Sequence, residues 1–350
     1  MEDTRILDLF GIELPIIQAP MAGATTTKMV IEASRAGGLG SLPCAMLSLE
    51  QMKAALDEIR AATRNPINVN FFTHTPPAPD PVGQMAWRAA LAPYYVELGL
   101  DPAEPPPAAG RAPFDDAYCS VVEAYRPEVV SFHFGLPEPA LLERVRRTGA
   151  RIIASATTVA EARWLADRGV DAVIAMGLEA GGHRGNFLVD DMSTQVGTIA
   201  LVPQVADAVD VPVIAAGGIA DPRGVRAAFA LGASAVQVGT AYLLTPEAKV
   251  SAFHRQALRE GRDDGTALTN LFTGRPARGV MNRLMREIGP LSPVAPAFPT
   301  AGSALAPLRA VTEKADSSDF SNMWSGQAAG LAREMGSAAL TRYLAGADGG

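Results

Sequence analysis

The feature of this sequence that most constrains its fold is a unit repeated along the first two thirds of the chain. Each unit is a short, continuous apolar run followed by a stretch in which apolar residues recur at helical spacing. Apolar runs that do not alternate with polar residues are typical of parallel strands covered by helices. The sequence therefore predicts strands at residues 16–19, 39–42, 67–72, 129–134, 151–155, 172–176, 212–216 and 235–238.

Helix start signals fall between these predicted strands. Ser48 and Thr158 each stand three residues before a Gln or a Glu, the spacing of a capping box, and Asp221 precedes a first-turn proline. Eight such strand–helix units predict an α/β fold, a (β/α)8 TIM barrel. An open doubly wound sheet is the alternative, but its first strand would be followed by G-x-G-x-x-G, and here PMAGAT follows.

Three regions of the chain do not show this strand–helix repeat. Within a barrel spanning residues 1–244, residues 74–114 are rich in proline and are too long for an ordinary loop, so they form an insertion. Residues 245–325 carry helical patterns and no clear strand pattern, which predicts a smaller, mostly helical domain that caps the barrel mouth. In the remaining segment, 326–350, we expect an amphipathic helix at 326–344 that returns to the barrel wall.

Composition and charge exclude several classes of function. The 350-residue chain has a formal net charge of -7, which argues against a nucleic-acid surface and gives no basic stripe for anionic lipid. No run reaches ~18 apolar residues, so no membrane span is predicted, and the acidic start does not resemble a secretory signal. Two cysteines, Cys44 and Cys119, are too few for a disulfide framework, which favours a cytoplasmic location. Nothing in the sequence indicates an oligomeric state.

In a barrel of this type the active site lies at the carboxyl ends of the strands. Glycines follow the last two predicted strands, in AAGGI with Gly217 and Gly218 and in QVGTA with Gly239. Barrel phosphate sites are usually built from these two loops, because glycine lets backbone N–H groups approach a phosphate. The alternative is that the glycines only permit tight turns. We predict a phosphate site here.

Two other strand ends carry candidate binding residues. After the first strand, Met21, Ala22 and Gly23 form a small, uncharged segment that could lie flat against a planar ring, or could be an ordinary turn. In the third strand, Asn70 is polar within an apolar run. A heteroaromatic edge would give its amide hydrogen-bond partners, and so would neighbouring backbone.

Two of the four histidines fall at the same predicted barrel mouth. His133 ends the fourth strand, and His183 follows the sixth strand within EAGGHRG. No acidic or cysteine cluster accompanies them, which argues against a metal site, and no motif for a serine or cysteine nucleophile is present. A neutral imidazole beside a phosphate-anchored cofactor suits proton abstraction near pH 7. A buried histidine bonded to backbone is the alternative for each.

The motifs QAPMAG, NVNFF, SFHFG, EAGGHRG, VPVIAAGGIAD, AVQVGTAYL and TGRPARG occur in this order and together resemble the nitronate monooxygenases, formerly called 2-nitropropane dioxygenases. They run from Gln18 to Gly279, about three quarters of the chain. The pattern is most similar to the class I branch, which acts on alkyl nitronates such as propionate 3-nitronate.

The resemblance implies that FMN binds to the barrel and that His183 is the catalytic histidine, with His133 as a helper. Met176 departs from many relatives, which have a glutamine that contacts the flavin; methionine can pack on the ring but donates no comparable hydrogen bond. The residues implied to hold the phosphate are Gly218, Gly239 and Thr240, with Gln237, Val238 and Gly217 in the same loops, and those beside the ring are Met21, Ala22, Gly23, Asn70, Met176 and Gly181.

The resemblance also implies the reaction. The nitronate passes one electron to the flavin, giving a semiquinone, and O2 takes that electron and reacts with the organic radical to give a carbonyl compound and nitrite or nitrate. Nitronate or nitroalkane and O2 are the expected partners. The nearest alternatives are a flavin-dependent enoyl-acyl-carrier-protein reductase and an NADH:quinone reductase on the same barrel. A flavin-binding protein without turnover and a barrel enzyme acting on phosphosugars are more distant ones.

Overall fold

The computed structural model describes residues 3–105 and 112–347; residues 106–111, within the predicted insertion, and both chain ends lie outside the described residues. Within the described residues, parallel strands form an eight-stranded sheet that is nearly closed into a barrel. The strands are β1 (Ile16–Gln18), β2 (Gly40–Pro43), β3 (Ile67–Phe72), β4 (Val129–His133), β5 (Arg151–Ala156), β6 (Ala172–Met176), β7 (Gly182–His183), β8 (Val213–Ala216), β9 (Ala235–Val238), β10 (Thr266–Thr269) and β11 (Ala277–Val280).

The strand order β1-β9-β8-β6-β5-β4-β3-β2 brings the two ends of the sheet together. The seam is closed where the Gln18 N–H donates to the Leu39 carbonyl and the Leu39 N–H donates to the Ile16 carbonyl, each at 2.9 Å. The predicted (β/α)8 barrel is therefore confirmed, and no strand end differs from the predicted one by more than one residue. All eight carboxyl ends face one mouth, which is where the candidate residues were expected.

Helices cover the outside of the sheet. The predicted capping box at Ser48 is complete, because Ser48 and Gln51 exchange side-chain to backbone hydrogen bonds. The box at Thr158 is not: Thr158 caps its helix, but the Glu161 carboxylate turns away to other partners. The helices are α1 (Arg5–Phe10), α2 (Thr27–Arg35), α3 (Leu49–Ala62), α4 (Pro81–Glu97), α5 (Asp116–Tyr125), α6 (Pro139–Arg147), α7 (Val159–Ala166), α8 (Thr198–Ala206), α9 (Pro222–Ala230), α10 (Ala252–Glu260), α11 (Arg283–Ile288), α12 (Ala301–Lys314) and α13 (Ser337–Leu344).

The interior of the barrel is filled by branched side chains. Ile17, Ile153 and Ile214 are fully buried there, and Ile6 and Phe10 of α1 belong to the same cluster. Helix α1 therefore closes the amino-terminal end of the barrel, as a packed core requires. A ligand can approach only from the opposite mouth.

The region expected to contain no strands contains two. β10 and β11 pair antiparallel, and β11 also pairs with β7, so that Ala277 lies opposite His183. Strands of four residues that mix Thr, Arg and Gly show no alternation of apolar and polar residues, and for this reason the pattern failed to predict them. The three-stranded sheet joins the segment after the barrel to the glycine-rich loop that carries His183.

The proline-rich insertion packs on the same segment. In α4, the Trp87 Nε1–H donates to the Ala301 carbonyl at 3.0 Å and the Tyr95 hydroxyl donates to the Ala304 carbonyl, both in α12. Leu91 of α4 and Leu308 of α12 are buried in the shared cluster. We call this assembly of α4, α10 to α12, β10 and β11 the cap.

The predicted helix at 326–344 is shorter in the structure. The α-helical part is α13, and a single 3-10 turn at Ala329–Leu331 precedes it. The Tyr242 hydroxyl, at the end of the barrel, lies 2.7 Å from Thr341 Oγ1 in α13. No helix in the two described ranges is both long and apolar enough to span a membrane.

Candidate active site

A cavity of about 740 Å³ opens at the carboxyl mouth of the barrel, beneath the cap. Its volume is within the range of small-molecule and cofactor sites. Val238 is the one candidate that does not line it, because its side chain is only 1% exposed and packs in the barrel wall. The candidates that line the cavity are Met21, Ala22, Gly23, Asn70, His133, Met176, Gly181, His183, Gly217, Gly218, Gln237, Gly239 and Thr240.

His183 is held at the cavity by a strand and by a side chain. It lies in β7, opposite Ala277 of β11, and its Nε2 is 2.9 Å from the Thr273 hydroxyl. Aromatic rings surround the imidazole: the centroids of Phe298 and Trp324 each lie 5.4 Å from its own. The ring is therefore fixed in an apolar wall with a defined polar contact.

The glycines of EAGGHRG bring backbone close to other groups. A Cβ on Gly185 would lie 2.9 Å from Cε1 of His133, which is closer than real Cβ contacts allow. Glycine is therefore needed at this position for the chain after His183 to pass over the His133 ring. The loop is a fixed part of the site and not a flexible turn.

Arg184 holds the EAGGHRG loop in place through hydrogen bonds to the end of β6. Its side chain is fully buried, and its guanidinium donates to the carbonyls of Gly177 at 2.7 Å and Met176 at 2.8 Å and to Gln195 Oε1 at 3.0 Å. Burial lowers the pKa of Arg184 to about 10, so the group stays charged at neutral pH. It joins the end of β6 to the residue after His183.

Two carboxylates near the loop are structural. Glu179, which stands close to His183 in the sequence, accepts from the Thr198 N–H and hydroxyl at the start of α8. Glu161 is 1% exposed and accepts from the N–H groups of Thr157, Phe187 and Leu188. Both carboxylates therefore anchor backbone around EAGGHRG.

His133 supports the same loop from β4. Its Nε2 lies 3.2 Å from the His183 carbonyl and its Nδ1 lies 3.0 Å from the Ser155 hydroxyl. Because a carbonyl oxygen only accepts, Nε2 carries the proton and Nδ1 accepts from Ser155. Burial is the main cause that lowers the pKa of His133 to about 3, so the ring is neutral at physiological pH. This arrangement positions the His183 backbone.

The low pKa of His133 predicts a dependence of stability on pH. An unfolded histidine has a pKa near 6.5, so between about pH 6.5 and pH 3 the unfolded chain binds a proton that the native ring does not. The stability that depends on neutral His133 is fully present above about pH 6.5 and is lost as the pH falls toward 3. Since the ring borders the cavity and is only partly screened from water, we expect His133 to account for about 1–2 kcal/mol between pH 7 and pH 5.

Urea unfolding at pH 7 and pH 5 measures this effect. The wild type should lose more stability between the two pH values than His133→Gln, whatever the stability of the variant at pH 7. His254 also has a pKa lowered by burial, and it remains in both proteins as an internal reference. Equal losses in the two proteins would show that His133 is not the group responsible.

The Asn70 amide hydrogen-bonds to a neighbouring strand, which was the alternative to binding the edge of a heteroaromatic ligand. Its Nδ2 donates to the Ser131 hydroxyl at 2.9 Å and lies 3.3 Å from the Ser131 carbonyl, within the barrel wall. Gln237 differs: its Oε1 is buried without a hydrogen-bond partner among the described residues. A buried acceptor of this kind at a cavity wall is a place where a ligand N–H or O–H would bind.

The segment after the barrel contributes residues that the sequence patterns did not single out. One of them is a cation at the mouth of the cavity, Lys249. The others form a series of polar contacts: Arg309 lies 3.4 Å from Glu313, and Glu313 accepts a hydrogen bond from the Ser321 hydroxyl at 2.6 Å. No motif marks these positions: Arg309 and Glu313 lie on α12, Lys249 lies in the segment before α10, and only the folded chain brings them to the cavity. Among residues 3–105 and 112–347, no group of three or more His, Cys, Asp or Glu could hold a metal ion.

A (β/α)8 barrel with glycine loops after its last two strands, a capped cavity and a histidine fixed in the cavity wall defines a barrel enzyme that works on a small molecule. A family model described as nitronate monooxygenase matches residues 3–343. The chain belongs to the nitronate monooxygenase family and is an oxidoreductase.

Individual relatives agree with this family over nearly the whole chain. The nitronate monooxygenase of Pseudomonas aeruginosa is 41% identical over 350 residues, which covers 97% of each chain. Nitroalkane oxidase from Streptomyces ansochromogenes is similar in structure, with a TM-score of 0.87 and 37% identity over 97% of this chain and 96% of that one. FabK from Thermotoga maritima is less similar, with a TM-score of 0.74 and 29% identity over 97% of this chain and 94% of that one.

Proposed function

We propose that this protein is an FMN-dependent monooxygenase that oxidises alkyl nitronates, with propionate 3-nitronate as the expected substrate, and uses O2 to give a carbonyl compound and nitrite or nitrate. The observation that carries the proposal is His183, fixed by Thr273 and ringed by aromatic side chains in the wall of a large cavity. The family supports nitronate oxidation in general. The cofactor, the substrate and the steps are our inference.

The residues around the cavity fit FMN in size and in chemistry. Gly218, at the φ of +70° that glycine adopts readily, lets backbone approach a phosphate in the loop after β8, opposite the loop that holds Gly239 and Thr240 after β9. The buried, unpartnered Oε1 of Gln237 would accept from a flavin N–H or a ribityl O–H. Met21 and Met176 would pack on the ring without donating a hydrogen bond to it.

The protein's own residues would prepare the substrate. His183 would accept the α-proton of a neutral nitro compound, or as an imidazolium would stabilise a nitronate anion. Phe72, Phe298 and Trp324 would exclude water around the imidazole, which strengthens both interactions. When bound, FMN would supply the electron transfer between nitronate and O2 that no amino-acid side chain here provides.

The test uses the purified protein under anaerobic conditions. The protein should be yellow, and heating should release FMN that is identified by chromatography. We expect propionate 3-nitronate alone to change the visible spectrum within one turnover and NADH or NADPH alone to leave it unchanged. With air admitted, propionate 3-nitronate should drive O2 consumption and formation of nitrite or nitrate.

The same measurements separate the alternatives. Rapid bleaching by a nicotinamide alone, with no response to nitronate, would identify a flavin reductase and reject the proposal. A yellow protein that responds to neither would be a flavin-binding protein without this turnover. A colourless protein from which no flavin is released, even after incubation with FMN, would reject the cofactor.

A further inference from the structure

The motif TGRPARG packs against EAGGHRG along its length. The Arg184 N–H donates to the Pro276 carbonyl at 2.8 Å, and the Arg278 guanidinium donates to the Leu178 carbonyl at 3.0 Å. The Arg275 guanidinium lies over the Phe134 ring, 4.1 Å from its centroid. Together with the pairing of β7 and β11, these contacts hold the His183 loop on both sides.

Thr273 is the residue of this motif that touches the imidazole. Its side chain is only 3% exposed, and its hydroxyl lies 2.9 Å from His183 Nε2. The same hydroxyl oxygen accepts from the Arg275 N–H at 3.4 Å and lies 3.3 Å from the Arg275 carbonyl. A hydroxyl has one proton to donate and two lone pairs that accept.

Only one assignment satisfies all three contacts. The carbonyl of Arg275 can only accept, so it takes the hydroxyl proton. One lone pair accepts from the Arg275 N–H, and the other is left to accept from a proton on His183 Nε2. The neutral imidazole then carries its proton on Nε2 and its basic lone pair on Nδ1.

We propose that Thr273 is a positioning residue that fixes the tautomer and orientation of His183, so that Nδ1 is the nitrogen that accepts the substrate proton. The inference rests on the proposed function, in which His183 is the base. Substrate deprotonation gives the nitronate and the imidazolium, and Thr273 keeps its bond to the Nε2 proton before and after the transfer. The hydroxyl itself gains and loses no proton.

Among the described residues, several charged or titratable groups close to the His183 loop have partners of their own. His133 donates to the His183 carbonyl, and His254 Nε2 lies 3.1 Å from the Trp324 carbonyl. Arg184 and Arg275 bind main-chain oxygens on either side of the loop. His74 contacts the ring of Phe298, on the same aromatic wall. Thr273 is thus the hydroxyl through which the cap acts on the ring nitrogen of His183.

The first test compares Thr273→Val with Thr273→Ser, and uses Thr269→Val as a matched control. Thr269 is a buried threonine in β10 whose hydroxyl accepts from the Leu271 N–H. With neutral nitroethane, kcat of Thr273→Val should fall about tenfold, equivalent to ~1.4 kcal/mol, and Thr273→Ser should recover most of it. The pH at which kcat/KM is half-maximal should move in Thr273→Val alone, because the imidazolium loses an acceptor.

The second test does not depend on turnover. Long-range proton–nitrogen correlation spectra of histidine-labelled protein, assigned with His183→Asn, report which ring nitrogen carries the proton. His183 should have the Nε2–H tautomer in the wild type and in Thr273→Ser, and a mixture of tautomers in Thr273→Val. An Nδ1–H tautomer in the wild type would overturn the proposal even if Thr273→Val failed to fold.

The two proposals fail in different ways. A wild type that oxidises nitronates while Thr273→Val matches it in kcat and in pH profile would overturn the role of Thr273 and leave the proposed function in place. A wild type that oxidises no nitronate or nitroalkane would overturn the proposed function and, with it, the catalytic role of Thr273.

Discussion

Replacing His183 with asparagine should lower the turnover of neutral nitroethane by ~10²–10⁴-fold while FMN stays bound, because a positioned general base contributes a factor of this size. Asparagine is uncharged and cannot accept a proton at neutral pH. The cofactor-binding loops after β8 and β9 lie on other elements, so the amount of flavin per protein should not change.

Comparison of two substrates tests this expectation. Ethylnitronate is already deprotonated, so its turnover by His183→Asn should fall much less than that of neutral nitroethane. The ratio of the two turnover rates should therefore change by the factor that proton transfer to His183 contributes in the wild type. Steady-state O2 consumption, normalised to bound flavin, gives both rates. A variant that oxidises nitroethane at the wild-type rate would exclude His183 as the base.

The barrel and the location of the site could be predicted from the sequence because both depend on local pattern. Continuous apolar runs define the strands, and the carboxyl ends of parallel strands meet at one mouth whatever the loops do. This was enough to bring His183, Gln237 and Gly218 to one cavity. The role of Val238 stays a prediction: strand alternation places its side chain in the barrel wall, so a contact with a cofactor would come from its backbone.

What could not be predicted depends on contacts between distant segments. β7 has only two residues and exists because β11, nearly a hundred positions later, pairs with it. Glu161 matched a capping box, yet its carboxylate instead binds the backbone after His183, since a buried carboxylate is better satisfied by several N–H groups than by one. Thr273 was part of a noted motif, but only the folded chain shows which atom it contacts.

The second large effect is expected on stability. Arg184→Met should lower the free energy of unfolding by about 3 kcal/mol, because three buried acceptors lose a charge-assisted donor and the methionine supplies no replacement. The carbonyls of Met176 and Gly177 and the Gln195 amide would be left in a region that water does not reach. Part of the loss is offset because the guanidinium no longer has to be buried.

Urea unfolding at pH 7 measures this loss, with Arg226→Met as the matched control. Arg226 is exposed on α9, so its replacement should change stability by less than ~0.5 kcal/mol. Arg184→Lys should fall between the two, because an ammonium group cannot reach three acceptors in the planar arrangement of a guanidinium. Arg184 also joins the end of β6 to the residue after His183, so folded Arg184→Met should bind FMN yet oxidise nitroethane more slowly. If Arg184→Met were as stable as the control, the buried guanidinium would not be what holds the EAGGHRG loop.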